Sequence, residues 1–186
     1  MIELLEPTFT LGADPEAPVA SDLALEASVT EAKAASMLSS AWAQVEAFTG
    51  KTYRATLGAV IIIRVVSPMA WQWPRYPYPE DLTIEAYSQG AWVPWSEIYI
   101  PYAGLIELEP FTLYRLSHTT TTPGATVTPA VEQAVYNLAL YQLIQSPGRR
   151  EFQSQTAGDS GLTRERLMPI FQGSGAGALL AGEIRI

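Results

Sequence analysis

The spacing of hydrophobic positions changes several times along the chain. Over residues 29–49, Ala35, Leu38, Trp42, Val45 and Phe48 or Thr49 recur at helical intervals, and Gly50 follows. The spacing Ser28-Val29-Thr30-Glu31 matches a capping box, so the pattern predicts an amphipathic helix from 29 to 49. From Leu57 to Val66 the residues turn β-branched, which predicts a strand. Further strands are expected at 82–87, 91–95, 98–100, 105–108 and 111–116, with Ser88-Gln89-Gly90 as a hairpin turn. Residues 128–145 return to helical spacing. Thr128 can cap, Pro129 suits the first position, and Pro147-Gly148 stops the run. Val131, Val135 and Leu138 form one stripe, but Tyr136, Leu140, Leu143 and Ile144 make the other faces apolar too, and Glu132 is the only charge. A helix of this kind needs cover on several sides. At about 18 residues it approaches the length of a membrane span, yet Asn137 and Gln142 argue for a buried core or a subunit interface.

The ends read differently. Residues 1–27 hold six acidic side chains (Glu3, Glu6, Asp14, Glu16, Asp22, Glu26), no basic one, and Pro7, Gly12, Pro15 and Pro18. That composition predicts an acidic, extended N-terminal arm. After a polar stretch through 161, residues 162–171 suggest a short helix interrupted at Pro169. Gly173-Ser174-Gly175-Ala176-Gly177 has linker composition and leads to an apolar tip, so 173–186 reads as a flexible docking arm carrying Leu179, Leu180, Ile184, Arg185 and Ile186. The expected fold class is α+β: a bundle of two long antiparallel helices plus a short third, with a mostly antiparallel β insertion at about 55–118 and extended terminal arms. The main domain is expected at 28–172, its core formed by Leu38, Trp42 and Val45 against Val131, Val135 and Leu138.

Charge and composition narrow the function. The chain has 186 residues, 11 Lys+Arg against 19 Asp+Glu, and a formal net charge of −8, which argues against gripping nucleic acid through its phosphates. An acidic lining that lets DNA pass remains compatible. There is no Cys, so thiolate metal sites and disulfides are excluded. The N-terminus lacks the pattern of a signal peptide, so the protein is expected to be made and used in the cytoplasm or in something assembled there. Chemistry is sparse. The only His, His118, stands beside four threonines and reads as a surface loop residue. The glycine-rich run follows no strand and precedes no Lys-Ser/Thr, so it is not a nucleotide loop. Glu107, Glu109, Asp81 and Glu85 read as solvated faces. No catalytic, cofactor-binding or metal site is expected, and no membrane partner. The segment at 71–79, with Trp71, Trp73, Tyr76 and Tyr78 among prolines, is either a contact loop for another subunit or partner or a loop folded over its own sheet.

Residues 35–53, above all Val45, Glu46, Thr49, Gly50 and Lys51, resemble the helix "A-x-x-x-I-E-x-x-T-G-R-x-Y/L" of the head–tail connector, or adaptor, proteins of tailed phages. Val127-Thr128-Pro129-Ala130-Val131-Glu132-Gln133-Ala134-Val135 resembles that family's "V-P-x-x-I-x-x-A-I" opening of the second long helix. Gly158-Asp159-Ser160 and Leu167-Met168-Pro169 are similar to its later segment. Lys51 stands where Arg is commoner, and the β region is longer than in small members. Within the family the likeness is to the adaptor of gene transfer agents. The resemblance implies a structural, non-enzymatic adaptor in the neck of a virion or phage-like particle, forming a ring of about twelve copies. Its expected partners are the portal, met by the C-terminal arm, the next neck or tail component, and DNA passing through the lumen without sequence-specific binding. The alternative is a small-molecule or carbohydrate-binding module that uses the loop at 71–79 as an aromatic platform.

Overall fold

The computed structural model describes residues 2–67, 69–96, 98–110, 112–144, 154–155, 162–163 and 167–184. The chain divides into two compact units, Met1–Ala13 with Thr52–Ala125, and Asp14–Lys51 with Thr126–Ile186.

The first unit is built of strands. β1 (Ile2–Leu11), β2 (Thr56–Val65), β4 (Thr83–Ser88), β5 (Ala91–Pro94) and β8 (Thr112–His118) form one sheet in the order β1-β2-β8-β4-β5. A second sheet holds β3 (Met69–Gln72), β6 (Tyr99–Ile100) and β7 (Leu105–Leu108) in the order β3-β7-β6. All pairings are antiparallel. Alternation along β2 sends Ile61, Ile63 and Val65 inward while Val60 and Arg64 face out, as a half-buried strand requires. The inward face joins Trp73, Ile84, Ala86, Ile106, Leu108, Tyr114 and Leu116 in one core. Between β4 and β5, Gln89 and Gly90 both have positive φ (50° and 87°), the backbone of a tight hairpin turn.

The second unit is helical: α1 (Ala20–Ala27), α2 (Glu31–Thr49), α3 (Pro129–Ile144), α4 (Leu167–Gly173) and α5 (Ala176–Leu180), with a short ribbon of β9 (Ser154–Gln155) and β10 (Leu162–Thr163). Ser28 does not open α2. In a left-handed conformation (φ 53°) it closes α1, and Thr30 caps α2 by accepting from the Lys33 N–H at 3.4 Å. Gly50, at φ 70°, closes α2 and returns its N–H to the Glu46 carbonyl. Thr128 accepts from the Val131 N–H at 3.4 Å and so caps α3. Leu38, Trp42, Val45, Val131, Val135 and Leu138 are all buried, as are Ala34, Ala41, Ala134 and Ala139.

The expected fold class needs correction. A bundle of two long antiparallel helices with a β insertion and extended arms is not what forms. The architecture is mixed, with eight strands in two antiparallel sheets and a cluster of five helices among the described residues, of which only α2 and α3 exceed eight residues. α1 packs on both α2 and α3, and α5 covers α3, which supplies the cover that an all-round apolar helix demands. Gln44 of α2 and Gln142 of α3 exchange hydrogen bonds of 3.4 and 3.1 Å. The N-terminal arm is not extended and free either. Residues 2–11 are a strand laddered to β2, and residues 20–27 are a helix with Leu23 fully buried. Two properties hid this: acidic residues and Pro7 suppress the strand signal, and a helix of eight residues is too short to show its period.

Leu138, with no exposed surface, sets a test of the helical core. Leu138→Asp places an unpaired charge in the buried interior of the helical unit and should cost roughly 3–5 kcal/mol. Denaturant unfolding measures it, and an unchanged midpoint would remove α3 from the core.

Candidate functional site

Among the described residues no group of three or more His, Cys, Asp or Glu side chains is placed to hold a metal ion. No helix among them is long and apolar enough to cross a membrane. The features that remain are surfaces and a few charged networks.

His118 is not in a loop. It is the last residue of β8, opposite Ala59, and only 4% exposed. Its Nδ1 lies 3.0 Å from the Thr120 carbonyl oxygen, which can only accept, so Nδ1 carries the proton and donates. Nε2 has no hydrogen-bond partner, and the ring meets Trp73 edge-on at 5.6 Å. The four threonines misled the sequence reading, because β8 runs through to the residue before them. His118 is thus a core aromatic of the β unit. His118→Ala should cost about 2–4 kcal/mol through the cavity left beside Trp73. Equilibrium unfolding against the unsubstituted chain checks it, and a change below about 0.5 kcal/mol would contradict the packing role.

The loop at 71–79 mostly folds back on its own sheets. Trp73 is 1% exposed, and Trp71 and Tyr78 are partly buried against the same core. Trp73 meets Phe9 edge-on at 6.0 Å, and Tyr99 Oη donates to the Pro79 carbonyl at 2.5 Å. Gln72 reaches both Tyr78 Oη (2.7 Å) and the Ala103 carbonyl (3.0 Å). Of the four aromatic residues expected at a contact surface, only Tyr76 is exposed. The rings meet edge to face, Trp71 with Trp73 at 76° and Tyr76 with Tyr78 at 89°, so no flat exposed platform for a sugar exists here. The more exposed apolar side chains lie elsewhere: Ile98 and Tyr102 in the β unit, and Leu25 and Ile144 in the helical unit. Tyr102 sits in the turn between β6 and β7, which closes on Gly104 at φ 62°; a Cβ there would run into the Tyr78 ring.

The C-terminal segment is anchored. α5 forms where a linker was expected, and Ala176 and Leu180 have no exposed surface. Phe171 of α4 stacks on Phe48 of α2 at 4.3 Å. Glu183, just beyond α5, bonds Lys51 Nζ at 2.7 Å and accepts from Thr128 Oγ1 at 3.1 Å, joining the residue after α2's cap to the cap of α3. The Lys51 hydrogen bond, helped by Thr128, holds the Glu183 carboxyl below its usual range despite partial burial. Leu180 therefore belongs to the core, Leu179 is partly buried, and Ile184 is exposed. Arg185 and Ile186 lie outside the described residues. Two further polar pairs dress the surface. Arg115 Nε meets Glu85 at 2.6 Å with its guanidinium over Trp92, and Tyr136 donates to Glu26, which pushes its hydroxyl up to about 12.

Because folding lowers the Glu183 pKa, its contribution is fully present above the unfolded value of about 4.3 and is lost as pH falls through the lowered folded value. Glu183→Gln should accordingly loosen residues 176–184 at pH 7, read as faster amide exchange. The difference from the unsubstituted chain should shrink as pH falls below the ordinary carboxylate range and through the lowered value. A difference that persists in acid would show that the carboxylate is not the tether.

No family model matches the chain, and no curated protein matches it. Among solved structures the fold is similar to a chain of the neck of an empty GTA (gene transfer agent) particle computed with C6 symmetry, with a TM-score of 0.55 at 15% identity. The match covers 91% of this chain and 95% of the other. At that identity the likeness is one of fold, and it leads to the same kind of particle that the motifs around Glu46 and Pro129 resemble.

Proposed function

We propose that the chain is a structural component of the neck of a phage-like particle, an adaptor ring between the portal and the next neck or tail component. The observation that carries this reading is the fold shared over 91% of the chain with a gene transfer agent neck chain (TM-score 0.55). It gains support from the family motifs, which come from sequence and are independent of the fold. A six-fold axis accommodates six copies or twelve, and we take about twelve, the number the resemblance implies. Net charge of −8 suits a channel through which DNA slides without being held, since phosphate binding scales with the cations a protein offers. The portal contact falls to the C-terminal end from Ile184 onward, because Leu180 is committed to the core and Ile184 is exposed. Assembly would take place in the host cytoplasm, and the role needs no catalysis or cofactor. A carbohydrate-binding reading has no support from the buried Trp73.

Deleting the gene in particle-producing cells should leave DNA-filled heads without necks, and DNA delivery should fall to background until the chain is restored. Labelled antibody should mark one end of complete particles. Normal necks and normal delivery without the chain would overturn the proposal.

A further inference from the structure

Both lateral edges of the five-stranded sheet end on a strand that has one neighbour among the described residues: β1 on one side, β5 on the other. Such edges present backbone N–H and C=O groups able to pair, apart from the N–H that Pro7 of β1 and Pro94 of β5 lack. β1 needs that pairing more. Ordering its backbone costs roughly 1–2 kcal/mol per residue. Yet all residues from Glu3 to Thr8 are exposed, Leu4 by 50% and Leu5 by 42%, while Phe9 and Leu11 are partly covered. A ladder to β2 on one side leaves those leucines in water.

The strand directions limit what can lie beside it. Each neighbouring pair in the sheet is antiparallel and the strand number, five, is odd, so β1 and β5 run the same way. Copies related by rotation about a common axis can bring β1 of one beside β5 of the next, in parallel and with matching faces. That contact is head-to-tail: it joins two different patches and uses each once per copy, as a closed ring larger than a dimer requires. Charge favours the same pairing. β1 carries Glu3 and Glu6, so two β1 edges would bring like charges together, whereas Ala91, Trp92, Val93 and Pro94 of β5 carry none. Trp92 and Val93 also offer apolar surface to Leu4 and Leu5.

We infer that the outer edge of β1 in one copy pairs with the outer edge of β5 in the next, so that the sheet continues from copy to copy. The inference rests on the ring reading above.

The chain has no cysteine, so introduced thiols are unique. Leu4 and Ala91 are both exposed, and the ladder registers put them on one face of the sheet. The full-length Leu4→Cys/Ala91→Cys chain, purified and in particles, is treated with a short bis-maleimide. Pro7→Cys/Ala91→Cys serves as a second pair at another register. A ladder of dimers, trimers and higher multimers is expected from a double variant in at least one setting, and monomer from each single variant. Dimers from Leu4→Cys alone would mean that β1 pairs with β1 and would overturn the inference. So would monomer from both double variants in both settings. The two readings fail separately: a chain found in necks without cross-links sinks the edge pairing alone, whereas cross-links in solution with the chain absent from particles sink the neck reading alone.

Discussion

The ladder between β1 and β2 is the constraint on which the path of the chain depends. Once residues 2–11 lie along β2, the segment from Asp14 to Lys51 must leave the sheet and come back, and α1 and α2 form on that excursion. The points of departure and return are tied by backbone bonds. Gly12 N–H donates to the Ala55 carbonyl at 2.7 Å, Thr56 and Thr122 bond each other both ways at 2.8 and 2.9 Å, and Ala125 N–H reaches the Thr52 carbonyl at 2.8 Å. Gly124 is a glycine for the same reason, since a Cβ there would land on the Tyr53 carbonyl. These bonds tie Gly12, Thr52 to Thr56 and Thr122 to Ala125 together within the β unit.

How far the sequence could reveal this follows from the range of the interactions involved. α2, α3, β2 and the hairpin at Gln89-Gly90 were legible because their signals are local: period, caps, β-branching and a turn that needs positive φ. β1 was not, since its stability comes from a partner some fifty residues away and its own residues, exposed on both faces, carry no alternation. His118 was misplaced by its neighbours in sequence, although its neighbours in space are Trp73 and Ala59. The C-terminal glycines suggested a free linker. Gly175 instead takes a left-handed conformation (φ 74°) that turns the chain into α5, where Leu180 finds a place on α3. Among the described surface residues the sequence nominated, Tyr76 and Ile184 are exposed, Trp71, Tyr78 and Leu179 are partly buried, and Trp73 and Leu180 are buried, because a Trp or Leu reads alike whether it faces a partner or its own core.

The two units solve their packing differently, with consequences for which surfaces are available. The helical core includes buried alanines at 34, 41, 134 and 139 beside Leu38, Trp42, Val45, Val131, Val135 and Leu138, while Leu25 and Ile144 stay exposed. The β unit is filled by Trp73, Tyr114 and branched aliphatics, and its sheets end in edges that side chains alone cannot cover. Exposed backbone capacity therefore concentrates in the β unit. The helical unit's carboxylates are in part already engaged, as Glu183 is with Lys51 and Thr128 and Glu26 is with Tyr136.

Charge then decides what kind of contact can hold like copies together. Each copy brings a net charge of −8, so an assembly of identical chains is opposed by long-range repulsion, which screening reduces only beyond about 8 Å at physiological salt. Ion pairs between copies cannot be plentiful when acids outnumber bases 19 to 11 and Arg64 and Arg115 already sit beside Glu3 and Glu85. Attraction has to come from short-range terms. Apolar burial and backbone hydrogen bonds qualify, since neither depends on the sign of the side chains. An interface of that kind strengthens as salt rises, the reverse of one held by complementary charge. In the channel we propose, the same acidic excess that weakens attraction between copies would keep the phosphates of DNA from adhering. On the proposed neck reading, one charge imbalance would serve the channel and leave the uncharged backbone at the sheet edges to build the ring.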